Sequence, residues 1–259
     1  MAMNVGIIGL GIMGGAFAKN LIEAGLNVTG YDIVADNVEA LVALGGTGAK
    51  SPKAAVDDAE VVITSLPSEA AFSQVVHGAN SLLSANKDGL IVIETSTLPI
   101  EAKTEARDTL GKGGTILLDC PISGTGAQAV NRDLVVYGSG DEDAFNTCSP
   151  VFEGIARSNY YVGEFGNGSR MKYVANLLVH IHNVASAEAL VLGMKAGLNP
   201  EMIYNVIKDG AGNSRIFELR GPMMVADNYD EATMKMDVWQ KDIGVITEFA
   251  AAMDCPTPL

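Results

Sequence analysis

The first thirty residues constrain this chain more tightly than any other stretch. Asn4-Val5-Gly6-Ile7-Ile8 is a short apolar run that predicts a buried strand, closed by Gly9. It opens into Gly9-Leu10-Gly11-Ile12-Met13-Gly14 and then into Ala16 to Ile22, a helical pattern that stops at Gly25. A second strand, Asn27 to Tyr31, follows and delivers Asp32, eighteen residues after Gly14. A bare glycine repeat marks little beyond a loop. Strand, glycine turn, helix, strand and acid in this order predict a β-α-β unit that binds a dinucleotide. The first glycine serves the tight turn, the second the approach of the pyrophosphate, and the third the packing of helix on strand. The helix then directs its N–H groups and positive dipole end at the phosphates. At the end of the second strand, Asp32 is placed to accept hydrogen bonds from the ribose hydroxyls.

Downstream, the pattern repeats. Glu60 to Ser65, Leu90 to Glu94 and Thr115 to Leu118 read as further parallel strands alternating with helices, which predicts a doubly wound α/β sheet. Their C-terminal ends run into Leu66-Pro67-Ser68, Thr95-Ser96-Thr97 and Asp119-Cys120-Pro121-Ile122-Ser123-Gly124-Thr125-Gly126. Each alone is an ordinary turn composition. Three such loops at successive strand ends predict a ligand crevice. Leu134 to Gly138 and Asn159 to Val162 bracket a helix around Asp141 to Gly154 and are expected to extend the sheet. Beyond Gly163 only helical periodicity remains, over Met171 to Ala196, Pro200 to Asp209, Arg215 to Arg220 and Met236 to Met253. The sequence therefore predicts an N-terminal Rossmann domain, residues 1–163, followed by a smaller all-α domain, residues 164–259.

The 259 residues suffice for two cores of this kind, and a formal charge of −14 disfavours nucleic acid and anionic membrane surfaces as partners. An anionic cofactor must then be held by local features. Three widely spaced cysteines, Cys120, Cys148 and Cys255, form neither a disulfide framework nor a zinc site, and no metal is expected. The chain enters a strand at once, without space for a signal peptide, so a cytoplasmic location is predicted. The uncharged run Tyr173 to Ala187, with Asn176, His180 and His182, reads as a buried helix rather than a membrane span. The histidines face different sides and read as packed side chains, not a metal pair.

The helical half begins Gly166-Asn167-Gly168-Ser169-Arg170-Met171-Lys172-Tyr173-Val174-Ala175-Asn176. Lys172 and Asn176, four apart, share a helix face. With Ser169 near the helix start, the dipole and burial between the halves would both lower the lysine from its usual ~10.4. Such an amine suits proton transfer near neutral pH. Lys241-Asp242, beside Trp239, reads on its own as an exposed charge pair.

Together these segments, from Val5 to Pro258, resemble the β-hydroxyacid dehydrogenase family, which includes 3-hydroxyisobutyrate dehydrogenase and tartronate semialdehyde reductase. Gly9 to Gly14 is similar to the family's cofactor motif, Asp119 to Gly124 to its substrate motif, Gly166 through Lys172 and Asn176 to its catalytic motif, and Lys241-Asp242 to its late cofactor motif. The resemblance implies that Gly9, Leu10, Gly11, Ile12, Met13, Gly14, Asp32, Leu66, Pro67, Thr97 and Lys241 hold the dinucleotide. It implies that Ser123, Gly124, Thr125 and Asn176 bind the substrate and that Lys172 is the general acid/base. Thr125 stands where the family usually has a second glycine, and family members continue for about another helical segment beyond the proline matching Pro256 or Pro258.

The expected activity is hydride transfer between a nicotinamide cofactor and a small β-hydroxy acid or semialdehyde, in a homodimer or homotetramer. Asp32, followed by Ile33-Val34-Ala35-Asp36 without an arginine, favours NAD over NADP. An NADPH-dependent semialdehyde reductase is the rival reading. A non-catalytic Rossmann module would be expected to lack Lys172. A relative of 6-phosphogluconate dehydrogenase acting on phosphorylated sugar acids would need more basic residues than Arg170, Arg215 and Arg220 in the helical half.

Overall fold

The fold is that of a computed structural model, which describes residues 2–227 and 236–258. Strands and helices alternate through the first part of the chain: β1 (Asn4–Ile8), α1 (Ile12–Glu23), β2 (Asn27–Tyr31), α2 (Ala35–Ala43), β3 (Thr47–Gly48), α3 (Pro52–Val56), β4 (Val61–Thr64), α4 (Glu69–His77), α5 (Leu82–Ala85), β5 (Ile91–Glu94), α6 (Ile100–Gly111) and β6 (Ile116–Asp119). Then come β7 (Ile122–Ser123), α7 (Gly126–Val130), β8 (Val135–Gly138), α8 (Glu142–Thr147), α9 (Ser149–Ile155) and β9 (Ser158–Tyr161). The remainder is helical: α10 (Asn167–Lys195), α11 (Pro200–Lys208), α12 (Arg215–Val225) and α13 (Met236–Ala252). By internal contacts the chain divides into two compact units, Met1–Lys172 and Tyr173–Leu259. The dividing point lies inside α10, a little past the Gly163-to-Gly168 joint read from the sequence.

Among the described residues of the first unit, β1 to β6 form a sheet in the order β3-β2-β1-β4-β5-β6, and every pairing is parallel. This is the Rossmann order, whose direction of winding reverses between β1 and β4. The strands are apolar on both faces because both faces are covered. Val5, Ile7, Val61 and Ile63 pack with Phe17 and Leu21 of α1 and Phe152 of α9. Ile8, Val62 and Val92 pack with Val56 of α3, Phe72 and Val76 of α4, and Leu110 of α6.

β8 and β9 do not extend this sheet. They form a second one, β7-β8-β9, whose link to β6 is a bridge between Asp119 and Ser139. Pro121 follows directly after β6 and cannot donate to a continuing ladder. The helix expected around Asp141 to Gly154 is likewise two, α8 and α9, with Pro150 in the first turn of the second.

In the second unit, Leu190, Ile203 and Phe217 make a small core across α10, α11 and α12. Asn199 and Ser214 cap α11 and α12, accepting from Met202 N–H and Phe217 N–H. The sequence ends the last of these at Arg220, yet α12 runs on through Pro222. The proline cannot bond the Glu218 carbonyl one turn back; the Tyr204 hydroxyl donates to that carbonyl instead, at 3.4 Å.

α10 departs from the sequence reading. It runs for 29 residues and contains an 18-residue stretch of mean hydropathy 1.4, so by length and composition it is long and apolar enough to cross a membrane, yet only 17% of that stretch is buried. Lys172, Asn176 and His180 lie on its buried face, while Val174, Leu178 and Val191 are about half exposed. It is a half-buried helix, not a buried one.

Phe17, fully buried in the α1 face of the sheet, is the test of this core. Phe17→Ala is expected to cost about 3–5 kcal/mol in urea unfolding followed by circular dichroism. A loss below ~1 kcal/mol would contradict the packing described.

Candidate active site

The glycine turn between β1 and α1 has the form that a dinucleotide requires. Gly9 adopts φ +92°, and a Cβ there would lie 2.2 Å from the Ser65 carbonyl oxygen. Its N–H donates to the Tyr31 carbonyl, tying the turn to the end of β2. Gly14 packs so closely on the turn that a Cβ would sit 1.8 Å from the Gly9 oxygen. Nothing lies within 4 Å of the position a Gly11 Cβ would take. The middle glycine therefore leaves a cradle open to phosphate while its neighbours close the backbone. α1 starts at Ile12 with Gly11 as a cap that has no side chain, and its first turn holds no acid. Its leading amides thus suit an anion.

Asp32 stands just past β2 with its carboxylate fixed by three donors. Leu10 N–H reaches Oδ2 at 2.6 Å, Val34 N–H reaches Oδ1 at 2.8 Å, and the Asn37 amide reaches Oδ2 at 3.2 Å. A carboxylate offers about four acceptor sites, so Oδ1 retains capacity for a ribose hydroxyl.

The three strand-end loops are joined through a group that the sequence reading missed. Lys103, with a side chain 0% exposed, lies 2.6 Å from Glu94 Oε2 and 2.8 Å from Asp119 Oδ1. It also donates to the Ser96 carbonyl at 2.7 Å. The Ser96 hydroxyl accepts from Leu66 N–H at 2.9 Å, and Glu94 Oε1 accepts from Ser96 N–H at 2.9 Å. One ammonium thus binds the loops carrying Leu66-Pro67, Thr97 and Cys120. Burial alone would push it below its ordinary value; the Asp119 and Glu94 carboxylates outweigh that and hold it above. A signal for it existed: Lys103, Ala106 and Leu110 fall on one face of α6, and all three are buried.

The expected substrate loop lies beside the glycine turn. A Cβ on Gly126 would meet Ile12 Cγ2 at 2.2 Å, so the start of α7 abuts the start of α1. Gly124 has φ +134°, where a side chain is strained. Thr125 is the N-cap of α7 at φ −108°, with its N–H donating to Gln128 Oε1 at 3.1 Å. That conformation needs no glycine, which explains why threonine is accommodated there. Cys120, next to Asp119, is completely buried, and burial pushes its thiol up, so it is no nucleophile.

Lys172 is 7% exposed, in the second turn of α10. In the second unit, Asn176 donates from Nδ2 to Asp242 Oδ2 at 3.0 Å, and Lys241 Nζ lies 3.3 Å from Asp242 Oδ1. Asp242 is buried, so Lys241-Asp242 is not the exposed pair its sequence suggests. His180 packs on Trp239 with ring centroids 4.3 Å apart. The structure brings the glycine turn, Asp32, the strand-end loops and Ser123 to Thr125 together in the first unit. It gathers Asn176, Lys241 and Asp242 in the second.

This fold and cradle define a dinucleotide-binding protein of the Rossmann type. Residues 4–163 match the family described as the NAD binding domain of 6-phosphogluconate dehydrogenase. Residues 166–259 match the NAD-binding domain of NADP-dependent 3-hydroxyisobutyrate dehydrogenase. L-threonate dehydrogenase of Cupriavidus necator is 33% identical over 260 residues, covering 100% of this chain and 87% of the relative. 3-Hydroxyisobutyrate dehydrogenase of Pseudomonas aeruginosa is 31% identical, covering 99% and 88%. The crystal structure of a 3-hydroxyisobutyrate dehydrogenase from Salmonella typhimurium superposes with TM-score 0.87 at 30% identity, covering 99% of this chain and 90% of that one. The chain belongs to the β-hydroxyacid dehydrogenase family, and is an NAD(P)-dependent oxidoreductase of hydroxy acids.

Gly14→Ala tests the cradle. The added methyl must force α1 from the turn, so dinucleotide affinity by calorimetry should fall at least about tenfold, a cost of ~1.4 kcal/mol. Unchanged affinity would show that the close approach does not shape the site.

Proposed function

We propose that this enzyme oxidises a small 3-hydroxy acid, of the threonate, 3-hydroxyisobutyrate or glycerate type, with NAD, and that Lys172 is its general acid/base. The observation that carries this reading is a buried lysine one helical turn before Asn176, on the helix that starts against the substrate-loop strand ends. When bound, the dinucleotide supplies the hydride acceptor. Lys172 takes the hydroxyl proton as the carbonyl forms; in the reverse direction it returns that proton to the developing alkoxide. Ser123, Gly124 and Thr125 hold the substrate carboxylate. Asn176 gives one amide hydrogen to Asp242, and its amide would meet the substrate with the other hydrogen and the carbonyl oxygen.

Preference for NAD rests on Asp32. Its carboxylate is fixed where a ribose 2′-substituent would come, and Asp36 follows without an intervening cation. A 2′-phosphate there would face like charge. An NADPH-dependent semialdehyde reductase is the second reading, favoured by the NADP-dependent enzyme that describes the family matching residues 166–259.

Initial rates over a panel of small hydroxy acids and their semialdehydes, with both cofactors, test the reading. Turnover is expected with NAD and a 3-hydroxy acid; inactivity across the panel would overturn it. Lys172→Ala should lower kcat by about 10²–10⁴-fold with NAD affinity unchanged, and near-normal turnover would remove this residue from the chemistry. Asp32→Ala should narrow the NAD/NADP ratio of kcat/KM; a constant ratio would refute its role in cofactor choice.

A further inference from the structure

We propose that Lys103 is a positioning residue for this reaction: shared by Glu94 and Asp119, its ammonium fixes the point at which α10 begins, and thereby the place of Lys172. The inference rests on the reading of Lys172 as the acid/base. Lys103 has three N–H donors and three partners, Glu94, Asp119 and the Ser96 carbonyl, at 2.6–2.8 Å. Asp119 passes the constraint on. Its Oδ2 accepts from Ser169 N–H at 2.7 Å and its Oδ1 from the Ser169 hydroxyl at 2.8 Å. The Ser139 hydroxyl, 3.3 Å from Asp119 Oδ2, accepts from Gly168 N–H at 2.9 Å. The opening amides of α10 are therefore held by side chains from β6 and from the residue after β8. A carboxylate at that helix end is favoured by the dipole. Lys172 lies three residues after Ser169, on the same side of the helix.

Stability does not account for the cluster. A buried ion group costs desolvation, and an apolar side chain of similar volume in place of such a group is often neutral or stabilising. What the charges add is a common point of attachment: the Lys103 ammonium lies within 2.6–2.8 Å of Glu94, Asp119 and the Ser96 carbonyl. The same ammonium also holds Ser96, and through its hydroxyl Leu66 N–H, so the expected cofactor loops and the start of α10 share one anchor. The carboxylates keep Lys103 charged through neutral pH, so it transfers no proton itself.

Ser169→Ala in the full chain tests this, because it removes one hydroxyl link and leaves the buried triad intact. Its kcat should fall by about 10²-fold, the scale of an ångström-sized misplacement, with the NADH dissociation constant within about twofold of wild type. In the protein without cofactor, competitive labelling with fluorodinitrobenzene read by mass spectrometry should show a shifted pH midpoint at Lys172. Lys103→Met should show the same fall in kcat and the same shift at Lys172, with NADH binding weakened as well because the Ser96 link is lost; should it fail to fold, Ser169→Ala decides. Wild-type kcat together with an unchanged Lys172 labelling curve in Ser169→Ala would overturn the proposal. Turnover surviving in Lys172→Ala would instead remove the acid/base reading, while the labelling curve still reports whether Ser169 places the amine.

Discussion

The approach of α1 to the turn that precedes it governs the first unit. With no Cβ on Gly14, the helix packs directly onto the Gly9 carbonyl, and its leading amides lie beside the strand ends. The reversal of winding between those two strands leaves a gap at their C-terminal edge, as any open α/β sheet of this order does. Everything assigned to cofactor or substrate in this unit borders that edge. Ile12 abuts Gly126 of the proposed substrate loop, and the Ser65 carbonyl sits under Gly9.

Much of this was legible in the amino-acid order because it depends on local chemistry. Glycine spacing, β-branched runs and a terminal acid specify a β-α-β unit without distant contacts. What escaped depends on contacts between segments far apart in the chain. Lys103 reads as an ordinary helix lysine until Glu94 and Asp119, from two strands, are placed around it. Asp242 reads as exposed until the amide of Asn176, 66 residues earlier, reaches it. The helical pattern reads as ending at Arg220 until a tyrosine from the preceding helix serves the carbonyl that Pro222 leaves stranded. In each case an isolated residue was assigned its commonest fate, and a tertiary partner changed it.

The apolar pattern of α10 misled in a related way. Hydrophobicity along a helix shows that a surface seeks cover; it does not show which surface, or whether this chain supplies the cover. Here the polar residues Lys172, Asn176 and His180 take the buried side, and several leucines and valines take the other. The usual inside-outside sorting is inverted along this stretch, and its buried side is the one to which the proposed acid/base and substrate roles fall.

Asp32 links two tasks that are commonly discussed apart. The oxygen that would meet the adenosine sugar belongs to the same carboxylate that pins Leu10 N–H in the glycine turn and Val34 N–H at the start of α2. On the proposed NAD preference, re-engineering this chain toward a phosphorylated sugar is therefore not a matter of exchanging an acid for a base. The replacement must also supply an acceptor for those two amides, or the phosphate turn loosens as the sugar pocket is rebuilt.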